Sequence, residues 1–592
     1  MSASPASSSS LKRPRDFATT TACNEVVTPE ASLAAHAAAA RARYTPSAAA
    51  AIRPPAGALD SCVDLVTTDD DDTDTDDDFA AVVLTAAAEE PARLRSHQIG
   101  HAVELRRILD MHGRAVDTSV MGSGKTYVAC HLAAVLGLNL VVVCPATVTR
   151  TWKRVAAEFC LPRPVTLSFE SLRGSVGKQS KHGLLVRADS GGEHNVTTFK
   201  PSDVWKFAVD AGVLFVIDEI QRVKNTTATR DAVQALAVAI RCPSRILFLS
   251  GTPFDKKHHA SNLLQLLFSQ SCDLLVHSPY KAHTKELSPG TLHIIERARL
   301  LDPARTRIAC EKDHDVYIEG HGPAMNFDAL KPASIQSALY ELYVNVFQPA
   351  LVRSMPPPVI LGDLHCYNTS YAMPEKDRAD LQVAVLQLKK ALRRQKEGVA
   401  LLADSGFAAV TIALQKMEVA KAPTFIAIAK KQLAKDPNTK IVLAFNYFMA
   451  LDIVMQGLAD YSPLLLCGRQ TDTEKHDAIA AFQTHSAEHR VLCGIMAVMD
   501  VGIDLDDTHG GFPRVAFANT TYRPLSMHQF TRRFYRTNTR SDAEVNFVYG
   551  AGVDEPSIAS CLKRKTAVMT DILPTQVEAG YVFPGDYEQR TM

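Results

Sequence analysis

Met121-Gly122-Ser123-Gly124-Lys125-Thr126 is the stretch on which the reading of this 592-residue chain turns. Glycines let backbone amides close around an anion, and Lys followed by Thr at a helix start adds a positive charge and a hydroxyl. The segment before it, Ala115-Val116-Asp117-Thr118-Ser119, reads as a strand running into a loop, and the apolar-rich run Tyr127 to Leu136 reads as a helix. Strand, loop and helix in that order are the setting of a phosphate-binding P-loop. In such a loop Met121, Gly122, Ser123 and Gly124 wrap the phosphates of ATP, Lys125 reaches the β and γ phosphates, and Thr126 ligates magnesium. Ser119 replaces the first glycine of the full pattern, and a plain glycine turn is the alternative reading of the stretch by itself.

A chain of this length, 46% hydrophobic and 22% charged, can bury two or three cores. It has no run of eighteen apolar residues, and its first residues lack the order of a signal peptide, so no membrane role is expected. Twelve cysteines are scattered from Cys23 to Cys561 with no CxxC pair, which argues against zinc ribbons and a disulfide framework. The expected location is therefore an intracellular reducing compartment. Zero net charge hides an asymmetry: residues 1–90 hold 15 acidic against 6 basic side chains, leaving 58 basic against 49 acidic in the rest. That excess suits a polyanionic partner, though only weakly when spread so widely.

Residues 1–90, rich in Ser, Ala, Thr, Pro and Asp, cannot bury enough apolar surface to offset ordering entropy and read as a disordered acidic, alanine-rich arm. Beyond them, strand candidates include Leu138 to Cys144, Val213 to Ile217, Arg245 to Leu249, Lys440 to Phe445, Val491 to Gly494, Arg514 to Ala518 and Val545 to Tyr549. Several are continuous and apolar, as strands buried on both faces of a parallel sheet are. They fall into two groups separated by a stretch of helical periodicity, so two α/β units and a connector are expected. A basic cluster in that stretch, Lys389, Lys390, Arg393, Arg394 and Lys396, reads as a solvated helix face before it reads as a phosphate-binding surface.

The run Val213 to Ile217 ends in Asp218-Glu219-Ile220-Gln221, so a strand delivers two carboxylates at its C-terminal end, where α/β sheets place ligands. Asp218 suits contact with magnesium, and Glu219 suits the base that orients and deprotonates an attacking water. Ser250 and Thr252, after the next strand, are hydroxyls placed to relay between the phosphate site and a neighbouring lobe. Far downstream, Gln529, Arg533 and Arg536 share one helix face by their spacing. Paired guanidinium groups from a second domain are what a γ-phosphoryl transition state needs. In isolation the same elements would be a polar strand exit and a solvent-exposed basic helix.

The order of these blocks resembles helicase superfamily two, and within it the Swi/Snf-type double-stranded DNA translocases. Leu94-Arg95-Ser96-His97-Gln98 is similar to the adenine-side glutamine motif, and Val143-Cys144-Pro145 with Thr151-Trp152-Lys153 is similar to motif Ia and its trailing tryptophan. Asp218-Glu219-Ile220-Gln221-Arg222-Val223-Lys224-Asn225 resembles the extended motif II. Leu351-Val352-Arg353, Lys440 to Phe445, the set Gly468, Ile479 and Phe482, and the spacing of Pro524, Gln529, Arg533 and Arg536 resemble the later motifs in order. Departures are Ser123, Gln221, Lys475, Asp504 and Thr537-Asn538-Thr539.

The resemblance spans roughly residues 91–570 and implies two tandem RecA-like parallel-sheet lobes. Lobe 1 is expected over 91–270, a mainly helical connector over 271–410, lobe 2 over 411–570 and a tail over 571–592. ATP is expected at Gln98, the P-loop and Asp504, with coupling through Gln221, Ser250, Thr252 and Gln529. Pro145, Trp152, Arg353 and Phe445 are expected to meet nucleic acid, most simply duplex DNA. The rival implications are a helicase that separates DNA or RNA strands, which shares every catalytic residue, and a binding scaffold with a degenerate ATPase. The short connector suggests a compact motor of the kind large DNA viruses carry. Val63-Asp64-Leu65-Val66 before an aspartate run resembles a SUMO-interacting strand, and Leu11 to Arg15 a nuclear-import signal.

Overall fold

The run Val213–Asp218 shows why this chain builds parallel sheets: Val213 to Ile217 have no exposed surface, as only a strand covered on both faces can. The computed structural model describes residues 94–174, 182–190, 196–271, 273–277, 285–311, 331–358, 360–396, 403–500 and 502–592. The arm, the Val63 to Val66 segment and the Leu11 to Arg15 segment lie outside the described residues.

Six strands form the first sheet: Arg114–Asp117 (β1), Asn139–Cys144 (β2), Val165–Ser168 (β3), Val213–Asp218 (β4), Arg245–Leu249 (β5) and Val352–Arg353 (β6). Their order is β6-β1-β5-β4-β2-β3, and every ladder is parallel. Seven strands form the second: Leu364–Tyr371 (β7), Lys440–Phe445 (β8), Leu464–Leu466 (β9), Val491–Ile495 (β10), Arg514–Asn519 (β11), Ala543–Gly550 (β12) and Glu588–Thr591 (β13). The order is β9-β10-β8-β11-β12-β7-β13, again parallel throughout. In β8, Val442 and Ala444 enter one hydrophobic core while Ile441, Leu443 and Phe445 enter another, so the pleat places a core on each face of the sheet.

These are two RecA-like α/β lobes: the strand pattern implies two α/β units, and the motif resemblance implies their RecA-like class. Each sheet takes residues from the intervening helical stretch. The Pro289–Leu301 and Pro332–Leu342 helices bury Ile294, Ile295, Ile335 and Leu339 in the first-lobe core, whereas Leu381, Val385 and Leu388 of the Glu375–Lys396 helix belong to the second. No helix among the described residues is long and apolar enough to cross a membrane.

Candidate functional site

Between β1 and the Lys125–Leu136 helix, the glycine-rich loop turns through left-handed backbone at Gly122 (φ 80°) and Gly124 (φ 91°). A side chain at Gly124 would also collide with the Gln98 amide, so glycine is required twice over. Gln98 Nε2 donates to Ser123 O at 2.9 Å while its Oε1 accepts from Arg95 N at 2.8 Å, which docks the Ser96–His112 helix on the loop. Lys125 Nζ donates to Ser119 O and Val120 O at 2.9 and 3.1 Å, folding back along the loop.

Ser119, at the position of the pattern's first glycine, is fully buried. Its Oγ accepts from Met355 N at 2.7 Å and donates to Asp117 Oδ1, and Asp117 in turn lies 3.1 Å from His101 Nε2. His101 facing Asp117 therefore holds the root of the loop. Neither residue was a sequence candidate, because one sits on a helix face and the other within a strand.

Asp218 ends β4, and Glu219 follows with left-handed backbone (φ 60°), a strained conformation for a residue with a side chain. Gln221 Nε2 donates to Glu219 Oε2, Ser250 Oγ donates to Gln221 Oε1 at 2.6 Å, and Thr252 N donates to Ser250 Oγ at 3.0 Å. Gln529 Nε2, from the second lobe, closes this chain with long contacts of 3.4 Å to Glu219 Oε2 and 3.5 Å to Thr252 Oγ1. Withdrawal from water and the Glu219 charge beside it push the Asp218 carboxyl up to about 7.

Among the described residues no group of three or more His, Cys, Asp or Glu side chains could cage a metal. A magnesium ion needs no such cage, since it keeps waters and uses one or two protein oxygens plus phosphates. Thr126 and Asp218 supply hard oxygen donors of that kind and fit it.

The arginines come from the second lobe to the same place. Arg533 is 3% exposed; its guanidinium donates to Gln529 O, Ile503 O and, at 3.2 Å, to Met121 Sδ of the first-lobe loop. Arg536 pairs through Nε with Asp504 Oδ1 at 2.7 Å and donates from Nη2 to Ile503 O at 2.8 Å. A Cβ on Gly122 would lie 3.5 Å from Arg536 Cδ, and Thr537 Oγ1 donates to Gly122 O at 3.0 Å. Burial and the neighbouring Arg536 lower the Arg533 guanidinium to about 10, which leaves it charged at neutral pH.

The residues expected to meet nucleic acid need correction. Pro145 is buried, Trp152 is 1% exposed and Phe445 has no exposed surface, so none can touch a strand. Trp152 instead faces the carboxylate site, and Phe445 packs against Phe425 in a second-lobe core. Arg353 is partly exposed; its Nε lies 3.7 Å from Glu104 Oε2 and its Nη1 donates to Pro349 O at 2.9 Å.

A further cluster escaped sequence reading. Asp255 Oδ1 accepts from Lys224 Nζ at 2.7 Å and lies 3.3 Å from His259 Nδ1, while Asp255 Oδ2 lies 3.4 Å from Lys565 Nζ. Lys565 Nζ also donates to Tyr522 O of the second lobe. Asp255 thus joins the extended acid motif to the C-terminal Pro556–Ile572 helix.

No family model matches the sequence. The chain is similar, at 24% identity over 495 residues, to a candidate ATP-dependent RNA helicase of Acanthamoeba polyphaga mimivirus, with 82% of this chain and 84% of that protein covered. Among solved structures it is similar to a Sulfolobus solfataricus SWI2/SNF2 ATPase core in complex with double-stranded DNA, at 13% identity and a TM-score of 0.26, covering 82% of this chain and 95% of that one. It is also similar to the C-terminal part of the Fun30 ATPase domain, at 11% identity and a TM-score of 0.26, covering 36% and 99% respectively.

Proposed function

We propose that this protein hydrolyses ATP between its two RecA-like lobes and uses the cycle to move along duplex DNA, remodelling protein–DNA complexes as a Swi/Snf-type translocase. One observation carries the ATPase reading: Gln529, Arg533 and Arg536 of one lobe meet Glu219, Thr252 and the phosphate loop of the other.

Lys125 exchanges its two loop carbonyls for the β and γ phosphates, and Glu219, steadied by Gln221, orients the attacking water. Arg533 and Arg536 stabilise the charge that develops on the transferred phosphoryl group. Magnesium, held by Thr126 and Asp218, supplies neutralising charge on the phosphates when bound. Loss of the γ phosphate removes what the arginines grip, so the lobes part and alternate their hold on the track. Track contacts made to phosphates give salt-sensitive and nearly sequence-blind binding.

The motif resemblance favours duplex DNA. The name of the mimivirus relative favours a second reading, strand separation on RNA. ATPase rates at low salt with duplex DNA, single-stranded DNA and RNA decide between them, run beside triplex- and duplex-displacement assays. The translocase reading expects the largest stimulation from duplex DNA, displacement of the triplex strand, and no turnover in Lys125→Ala. Stimulation by RNA alone replaces it with the second reading, and indifference to every polymer ends the motor proposal.

A further inference from the structure

Trp152 reaches the carboxylate site from outside the motifs assigned to ATP. It sits on the Thr149–Glu158 helix, which follows β2, the strand beside β4, and with Val155 and Ala156 it forms that helix's buried face. Its Nε1 donates to Asp218 Oδ2 at 2.9 Å. A buried indole N–H must find an acceptor, and it is a donor only, so it cannot itself compete for a cation. It claims one lone pair of Oδ2, and a hydrogen bond from the Glu219 backbone also holds the carboxylate.

We propose that Trp152 is a positioning residue for Asp218, its indole N–H fixing the carboxylate rotamer and thereby selecting the oxygen offered to the magnesium that accompanies ATP. The inference rests on the ATPase reading above. Outer-shell donors of this kind hold a ligating group in place, and their loss typically lowers metal affinity 10- to 100-fold. The arrangement also makes the indole an optical reporter of the site. The chain has two tryptophans, and the other, Trp205, is buried elsewhere, donating from Nε1 to Leu236 O at 3.0 Å.

The test uses the full chain. Trp152→Phe keeps an aromatic ring and removes the N–H; binding of a fluorescent ATP analogue, excited directly, is followed while magnesium is titrated. The expected result is a half-saturating magnesium concentration raised about 10-fold, with analogue affinity in EDTA unchanged. In the Trp205→Phe protein, where Trp152 is the only indole, a non-hydrolysable unlabelled ATP analogue should change the emission with magnesium but not in EDTA. Adding Asp218→Asn should remove that change. An unaltered magnesium requirement in Trp152→Phe overturns the proposal, as does silent emission in the Trp205→Phe protein, which needs no change at Trp152. If the wild-type chain fails to bind the analogue at all, the ATPase reading fails and takes this inference with it. Binding with an unchanged magnesium requirement sinks the inference alone.

Discussion

Ser119 illustrates how a departure from a motif can be a structural requirement. Restoring glycine there would complete the phosphate-loop pattern, yet it would remove a buried hydroxyl that serves Met355 N and Asp117 Oδ1. Leaving a buried N–H without its acceptor costs about 1–3 kcal/mol, and the added chain entropy of glycine pushes the same way. Ser119→Gly is therefore expected to lower the thermal midpoint with no gain in nucleotide affinity, read by calorimetry and analogue binding. Arg533 makes the complementary case on the other lobe. Its guanidinium fork spans Gln529 O, Ile503 O and Met121 Sδ from three nitrogens of one rigid plane, a reach that the compact ammonium of a lysine lacks. If it stabilises transferred phosphoryl charge, Arg533→Ala should cut kcat by about 10^3-fold or more while ATP-analogue affinity moves far less. A large loss of affinity with kcat intact would assign Arg533 to ground-state binding instead.

The elements divide by what makes them legible. β2, β4, β5 and β8 announce themselves as unbroken apolar runs, because a strand covered on both faces has no polar side to show. β7 does not: His365, Asn368, Thr369 and Ser370 give it a polar texture, and it is held by pairing on both edges and by Thr369 Oγ1 donating to Asn546 Oδ1 at 2.8 Å. The phosphate loop and acid pair were readable because each is contiguous in sequence. The burial of Pro145, Trp152 and Phe445 is not legible in the sequence, because a recognised block fixes where an element lies, not which of its faces is buried. The Asp255 cluster had no signal at all, since no spacing rule links Lys224, Asp255 and Lys565 before the chain folds.

That cluster predicts a pH response. Burial holds the His259 imidazole down at about 4 against an ordinary 6.5, so the folded state binds fewer protons than the unfolded chain between those values. Its share of stability is complete above about pH 6.5 and is lost as pH falls through 4, up to about 3 kcal/mol. Replacing it by His259→Leu should make the loss in urea stability between pH 7 and pH 4.5 smaller by about 2 kcal/mol. Identical pH dependence in both proteins would show that the imidazole is not what titrates.

At the C-terminus one segment belongs to both lobes. Val568, Met569, Ile572, Leu573 and Phe583 enter the first-lobe core, Asp571 accepts from Tyr340 OH at 2.6 Å, and Gln576 Nε2 donates to Gly251 O at 2.8 Å beside the relay hydroxyls. A few residues later β13 pairs in parallel with β7 at the edge of the second sheet. A strap anchored this way adds a covalent tether to the closed arrangement of the lobes, so that arrangement does not depend on nucleotide alone. Truncating buried Ile572 and Leu573 together attacks one anchor and leaves every residue at the phosphate site in place. The cost of each truncation is about 2–5 kcal/mol, charged to the first-lobe anchor. Ile572→Ala with Leu573→Ala should split one calorimetric transition into two, because the lobes then melt with less help from each other. Turnover should fall about 10-fold, since a closed state populated a tenth as often reduces activity in proportion. A single transition with wild-type turnover would mean that the contacts of Gln529, Arg533 and Arg536 suffice to bring the lobes together without the strap.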